Sequence, residues 1–246
     1  MNTVATPGLA LAMLCLVLVT AAAGVYWIAE LGPVATAPRA AARAVIQLTV
    51  LASVLVAALA HLWSSVLVLT LMFVAAVLTS ARRAQAGRSA LWLTLSLGAG
   101  MTATLPAILV SGVVPLTGVA LVPIGGIIVG GTMTATSLSA RRALDTLAER
   151  AGEVEAAMSL GFTDRDARLE IIRTTATDAL LPGVDQTRTV GLVTLPGAFV
   201  GVLVASGSAV QAAAVQVLVL LALLLAQSCA VATTIELVAR GRVRRP

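Results

Sequence analysis

The stretch from Val210 to Ile235, VQAAAVQVLVLLALLLAQSCAVATTI, contains no charged residue and is closed by Glu236, Arg240, Arg242, Arg244 and Arg245. A helix needs roughly 20 apolar residues to cross a bilayer, and this run exceeds that length. Uncharged runs of the same kind recur upstream, at about residues 9–29, 44–61, 64–80, 89–111, 116–137 and 189–206. With 59% hydrophobic and only 11% charged residues among 246, the chain carries more apolar surface than one soluble core can bury. The expectation is an all-α, polytopic membrane helical bundle of about seven transmembrane helices, read as a single permease domain over 1–246.

Charge placement tests that count. All sixteen basic residues are Arg. With seven spans they fall on one side only: Arg39 and Arg43 after the first, Arg82, Arg83 and Arg88 after the third, Arg141 to Arg188 after the fifth, and the four C-terminal arginines after the seventh. The loops near His61, Gly112 and Gly207 carry none. The positive-inside rule then puts the N-terminus outside and the C-terminus in the cytoplasm of a cell (inner) membrane. No basic residue precedes Leu9, so the first run lacks the n-region of a signal peptide and reads as retained. Short Arg clusters between apolar runs, without aromatic interleaving, argue against nucleic acid as a partner.

Nine of the eleven acidic residues lie between Asp145 and Asp185, marking one helical cytoplasmic loop at about 138–188. Leu144, Leu147, Ala148, Ala151, Val154 and Met158 recur at helical spacing and predict an amphipathic helix. Gly161 is placed to end it. Thr163-Asp164-Arg165-Asp166 reads as the cap of a second helix, with the Thr163 side chain capping and Asp166 reaching back.

At that corner Glu155-Ala156-Ala157-Met158-Ser159-Leu160-Gly161, followed by nine residues and then Ile171, resembles the EAA loop of ABC-transporter permeases. The Leu-Pro pair of that pattern stands later here, at Leu181-Pro182, which implies a longer second helix. A wider resemblance covers the chain. Arg43 to Leu48, Thr134 to Arg142, Glu155 to Gly161 and Leu181 to Gly197 are similar to the FetB-type permease family, the membrane subunits ascribed to iron-export ABC transporters. Thr132, Arg188 and Phe199 depart from that family's commoner residues.

The resemblance implies a permease subunit that works as a homodimer within the lipid bilayer, paired with a separate ABC ATPase subunit, to export iron or a related metal or solute. It implies ATPase coupling through Glu155, Ala156, Ala157, Gly161 and Thr163. No cofactor is expected on this chain, and ATP would sit on the partner subunit. The chain contains no Lys, so no Walker A loop can be drawn in it, and the expectation is a transport subunit and not an enzyme.

Polar residues at membrane depth give the candidate solute path or hinge. Gln47 either faces a path or bonds between helices. Thr132, Thr134, Thr136, Ser137 and Ser139 either line a path or bond to their own helix backbone. Pro196 and Gly197 are expected to break or bend the sixth span near its middle. Asp185, Gln186 and Arg188 are gate candidates at its mouth, with helix capping and snorkelling as the alternative. Pro123, Gly125, Gly126, Gly130 and Gly131 make the fifth span irregular, fit either for close packing or for lining a pathway. No metal site is expected. An ion-coupled secondary transporter is the alternative function, opposed by the absence of Asp or Glu inside the spans. A serine-type intramembrane enzyme fails on the position of His61, the sole histidine.

Overall fold

The computed structural model describes residues 8–59 and 61–245, without the side chains of residues 54–59. Helices α1 (Leu9–Ile28), α2 (Thr36–Leu59), α3 (Leu62–Ala84), α4 (Leu93–Val110), α5 (Gly118–Glu149), α6 (Ala151–Ser159), α7 (Asp164–Thr177), α8 (Leu181–Thr189), α9 (Gly197–Ser206) and α10 (Ala209–Ala239) follow one another, with single 3-10 turns at Gly87–Trp92 and Asp178–Leu180. The chain is all-α, as its composition predicts.

Two compact units divide it, residues 1–58 and 59–246. In the first, α1 is apolar around its whole circumference and buries no side chain. The chain then turns through Glu30 and Gly32, both at positive φ, and α2 opens where the Thr36 hydroxyl donates to the Pro33 carbonyl at 2.6 Å. Arg39 and Arg43 lie on α2 itself, so this helix begins well before the predicted residue 44.

In the second unit α5 is the central element and packs against α3, α4, α7 and α10. Its predicted irregularity does not materialise: Gly118–Glu149 is one continuous helix through Pro123. The glycines serve close approach. A Cβ on Gly125 or Gly126 would meet Leu69 or Met72 of α3 at 2.6 and 2.9 Å, and one on Gly131 would meet Leu223 of α10 at 2.4 Å. In lipid, where apolar burial does not drive association, such backbone-to-side-chain fit is what holds helices together. The outward faces are apolar: Leu67, Leu71, Val74 and Leu78 on α3 and Val217, Leu221 and Leu225 on α10 are exposed at helical spacing. This is a multi-pass membrane protein.

Among the described residues, five helical stretches are long and apolar enough to cross a membrane: α1, α3, Gly87–Val110, α5 and α10. One sequence expectation needs correction. The span at 189–206 is not one helix, because α8 ends at Thr189, a tight turn follows, and α9 has only ten residues. At 1.5 Å per residue α9 is about 15 Å long, half the hydrocarbon thickness. The helical segment expected from about 138 begins within α5, which runs on to Glu149. The 32 residues of α5 extend about 48 Å, so its last turns project beyond any bilayer core.

The segments following α3 and α10 meet the C-terminal turns of α5 at one end of this unit. Arg242 stacks on Trp92 at 5.2 Å from the ring centre, Ser89 exchanges hydrogen bonds with Arg244 at 2.7 and 3.0 Å, and Arg245 pairs with Asp145. Three separate arginine clusters of the sequence therefore share one face.

Candidate functional site

The predicted amphipathic helix from Leu144 to Met158 is broken at Arg150, which leaves helical geometry at φ −115°, ψ 30°. Its N–H still closes α5 on the Thr146 carbonyl, while its own carbonyl accepts from Glu153 N–H to start α6. The Arg150 guanidinium also grips the Glu153 carboxylate, Nε to Oε1 at 2.6 Å, which holds that carboxyl below the usual range.

Helix α6 then ends in a Schellman closure. Phe162 N–H donates to the Ala157 carbonyl at 3.2 Å and Gly161 N–H to the Met158 carbonyl at 2.9 Å, with Gly161 left-handed at φ +95°. The Thr163 hydroxyl caps α7, accepting from Asp166 N–H at 3.2 Å and donating to Asp166 Oδ2 at 2.7 Å. Asp166 thus reaches the capping hydroxyl and not the Thr163 backbone. That hydroxyl first, and the Arg165 guanidinium second, hold the Asp166 carboxyl below its ordinary range.

The corner is firm inside and apolar outside. Val154, Ala157, Ala167 and Ile171 pack between α6 and α7. Leu160 stands 81% exposed at the tip, with Phe162 half-exposed beside it. Glu155 is exposed on the rim of a groove of about 290 Å³ with Met158, Asp164 and Arg168. Ala156 is exposed as well. The five predicted coupling residues thus fall on one corner.

Two ties bind this corner to the membrane helices. Thr146 of α5 and Thr175 of α7 share a hydrogen bond at 3.0 Å. Arg165 of α7 donates to both carboxylate oxygens of Glu236 on α10, at 2.8 and 2.7 Å, and Arg240 holds the same carboxylate. Neither tie was read from the sequence, because the partners are 29 and 71 residues apart.

The polar residues at depth behave in two ways. Thr134 and Ser137 bond back to the carbonyls of Gly130 and Met133, at 3.1 and 2.8 Å, and Thr104 and Thr234 do likewise. Thr132, Thr136 and Ser139 on α5 and Ser96 on α4 are fully or almost fully buried, yet their hydroxyls find no partner among the described residues. Gln227 of α10 belongs with them. Its Nε2 donates weakly to the Gly131 carbonyl at 3.4 Å, its buried Oε1 is unpaired, and a Cβ on Gly183 of α8 would lie 2.0 Å from that oxygen. Gln227 and Ser96 were missed as candidates, although Gln227 carries the same signal as Gln47, an amide in an apolar run.

The hinge and gate candidates of the second unit do not join this cluster. Gln47 is exposed on α2, in the first unit. Pro196 is not a break inside a span but the N-cap of α9, and Gly197 is the first residue of that helix. Asp185 and Arg188 form a long, exposed pair at 3.9 Å on α8, with Gln186 exposed between them.

Residues 9–242 match the model of the uncharacterised protein family UPF0014. The chain belongs to the UPF0014 family. It is 31% identical over 184 residues to the UPF0014 membrane protein STAR2 of rice, covering 74% of this chain and 65% of that one. It is 33% identical over 193 residues to the UPF0014 membrane protein slr1647 of Synechocystis, covering 76% and 74%. The probable iron export permease protein FetB of Escherichia coli is 32% identical over 133 residues, 54% of this chain and 51% of FetB, which bears out the FetB-type resemblance. The matched stretches span just under two thirds of the rice relative and about half of FetB. No solved structure matches.

Proposed function

We propose that this UPF0014 protein is the membrane-spanning permease subunit of an ABC transporter, driven by a separate ATPase subunit that binds the ATP. The observation that carries the reading is the α6–α7 corner. It presents Leu160, Phe162 and Glu155 outward on a capped turn, and α7, which leaves that turn, is hydrogen-bonded to α5 and α10. A push on the corner therefore reaches two long apolar helices without passing through a loose loop.

The arginine-rich end is the cytoplasmic one under the positive-inside rule, which puts the corner and the C-terminus on the side where ATP is available and the N-terminus outside. A homodimer in the cell (inner) membrane is the assembly this reading takes. Export of iron or a related metal or solute follows from the name of FetB, and an enzymatic role has no part in it.

The test is reconstitution. The full chain is co-purified with the ATPase and placed in proteoliposomes, and ATP hydrolysis and solute movement are measured. Leu160→Asp and Glu155→Lys should abolish co-purification while leaving the thermal unfolding of the chain in detergent unchanged. Retained assembly and full ATP-driven transport in both variants would refute the coupling role.

A further inference from the structure

The carboxylates of this chain avoid the depth of the membrane entirely. Glu30 follows α1, Glu236 stands in the last turn of α10, and the other nine lie between Asp145 and Asp185. The single histidine, His61, precedes α3. A second copy would bring the same residues to the same levels. A path through one copy or between two copies therefore meets no carboxylate at depth.

What the interior of the second unit offers is a row of neutral dipoles. Thr132, Thr136 and Ser139 are spaced i, i+4 and i+7 and share one face of α5. A Cβ on Gly100 of α4 would lie 2.9 Å from Thr132 Cγ2, so α4 crosses α5 at this level. Ser96 is one turn from Gly100 on the same face of α4. Gln227 enters from α10 beside Gly131. Each of these five side chains is more than nine-tenths buried, and each holds a polar atom without a partner among the described residues. Neighbouring hydroxyls of Thr104, Ser137 and Thr234 satisfy themselves on their own helix backbone, so lack of local acceptors is not the reason. Unpaired buried polar atoms cost stability, and a solute that bonds to them recovers that cost.

The chemistry of the row selects the solute. A bare di- or trivalent cation stripped of water needs anionic oxygen around it, and protein sites for hard cations supply carboxylates. Intramembrane routes for charge likewise carry ionisable residues. Hydroxyls and one amide suit instead a solute with little net charge and an oxygen-rich surface that exchanges hydrogen bonds with them.

We infer that Ser96, Thr132, Thr136, Ser139 and Gln227 form the recognition row of the solute path, and that its occupant is a neutral, oxygen-rich metal complex carried with its organic ligands, not a naked cation. The inference rests on the permease reading and narrows its substrate.

The test uses the full chain with its ATPase in proteoliposomes and two radioactive iron probes: the neutral ferric tris(maltolate) complex, and uncomplexed ferrous chloride kept reduced with ascorbate. ATP-driven transport of the neutral complex should exceed that of the free ion about tenfold. Gln227→Leu should lower it about tenfold, roughly one lost hydrogen bond at the crossing barrier, and the Thr132→Val, Thr136→Val double variant, which loses two hydroxyls, by more. Thr132→Ser, which keeps the hydroxyl, should retain transport, and unfolding midpoints in detergent should not fall in the Val double variant. ATP-driven movement of the free ion at an equal or higher rate overturns this inference and leaves the coupling reading standing. Transport of the complex that the Leu and Val variants leave untouched overturns it too, as does failure to transport the complex. Absence of any ATP dependence, with no assembled pair, refutes the coupling reading itself.

Discussion

Arg165 and Glu236, 71 residues apart, meet in a two-pronged hydrogen-bonded pair at 2.8 and 2.7 Å that fastens the first turn of α7 to the last turn of α10. Paired N–H to carboxylate bonds fix direction as well as distance, which a single ammonium contact does not. The pair raises the Arg165 pKa, so the guanidinium stays charged throughout the accessible pH range. Arg165→Lys should keep the charge and lose the fork, and Glu236→Gln should lose the charge. Both should lower ATP-driven transport several-fold with a smaller effect on unfolding, because the pair is partly solvated and screened. The swapped double variant, Arg165→Glu with Glu236→Arg, should recover part of the transport rate in the reconstituted assay.

The glycines of the bundle should sort by what their missing Cβ would strike. On Gly100 it would lie 2.6 Å from the carbonyl oxygen of Ala226, a backbone atom that cannot turn aside. Gly100→Ala should destabilise by about 1–3 kcal/mol, the usual cost of overpacking. On Gly126 it would meet only the Met72 methyl at 2.9 Å, the free end of a flexible side chain. Gly126→Ala should be neutral or stabilise by up to about 1 kcal/mol through helix propensity. Thermal unfolding in detergent separates the two.

Thr132→Val and Thr136→Val each replace a buried hydroxyl that has no partner with a methyl of similar shape. Removing an unpaired buried polar atom should hold or raise stability, by up to about 1 kcal/mol. A structural role in interhelical bonding predicts the opposite sign. Unfolding midpoints decide between these outcomes without any transport assay.

These sites differ in how far the sequence reveals them. The Gly161 turn and the Thr163 cap are legible because their hydrogen bonds close within five residues, so type and spacing suffice. The break at Arg150 is hidden, since the apolar period from Leu147 through Ala151 and Val154 carries across it unchanged. The unbroken helix expected at 189–206 arises from Val190, Leu192, Val193 and Leu195, apolar residues in a turn. That turn closes by Val193 N–H to the Thr189 carbonyl and Gly191 N–H to the Thr194 carbonyl, both at 2.9 Å, with Gly191 left-handed. Gln227 is legible only as an amide in an apolar run. Its place beside Gly131 and Gly183 depends on which faces of α5, α8 and α10 meet, and one chain's pattern does not encode that.

The corner itself should respond to acid in a defined direction. Asp166 has its carboxyl pKa depressed in the folded chain by the Thr163 hydroxyl and the Arg165 guanidinium, so its ionised form favours the folded state. That contribution is complete above the ordinary carboxylate pKa and disappears as pH falls through the lower, folded value. Asp166→Asn cannot titrate and should be less stable than the unaltered chain at neutral pH. The gap between the two unfolding midpoints should stay constant from pH 7 to about pH 5 and close below the ordinary carboxylate value near 4. A gap that widens on acidification would mean that the neutral carboxyl is the favoured form at this cap. Gly161→Ala provides the pH-independent comparison. It forces a side chain into the left-handed region at φ +95° and should cost about 1–2 kcal/mol at every pH. A constant loss at Gly161 beside a titrating loss at Asp166 separates backbone strain from charge at the same turn.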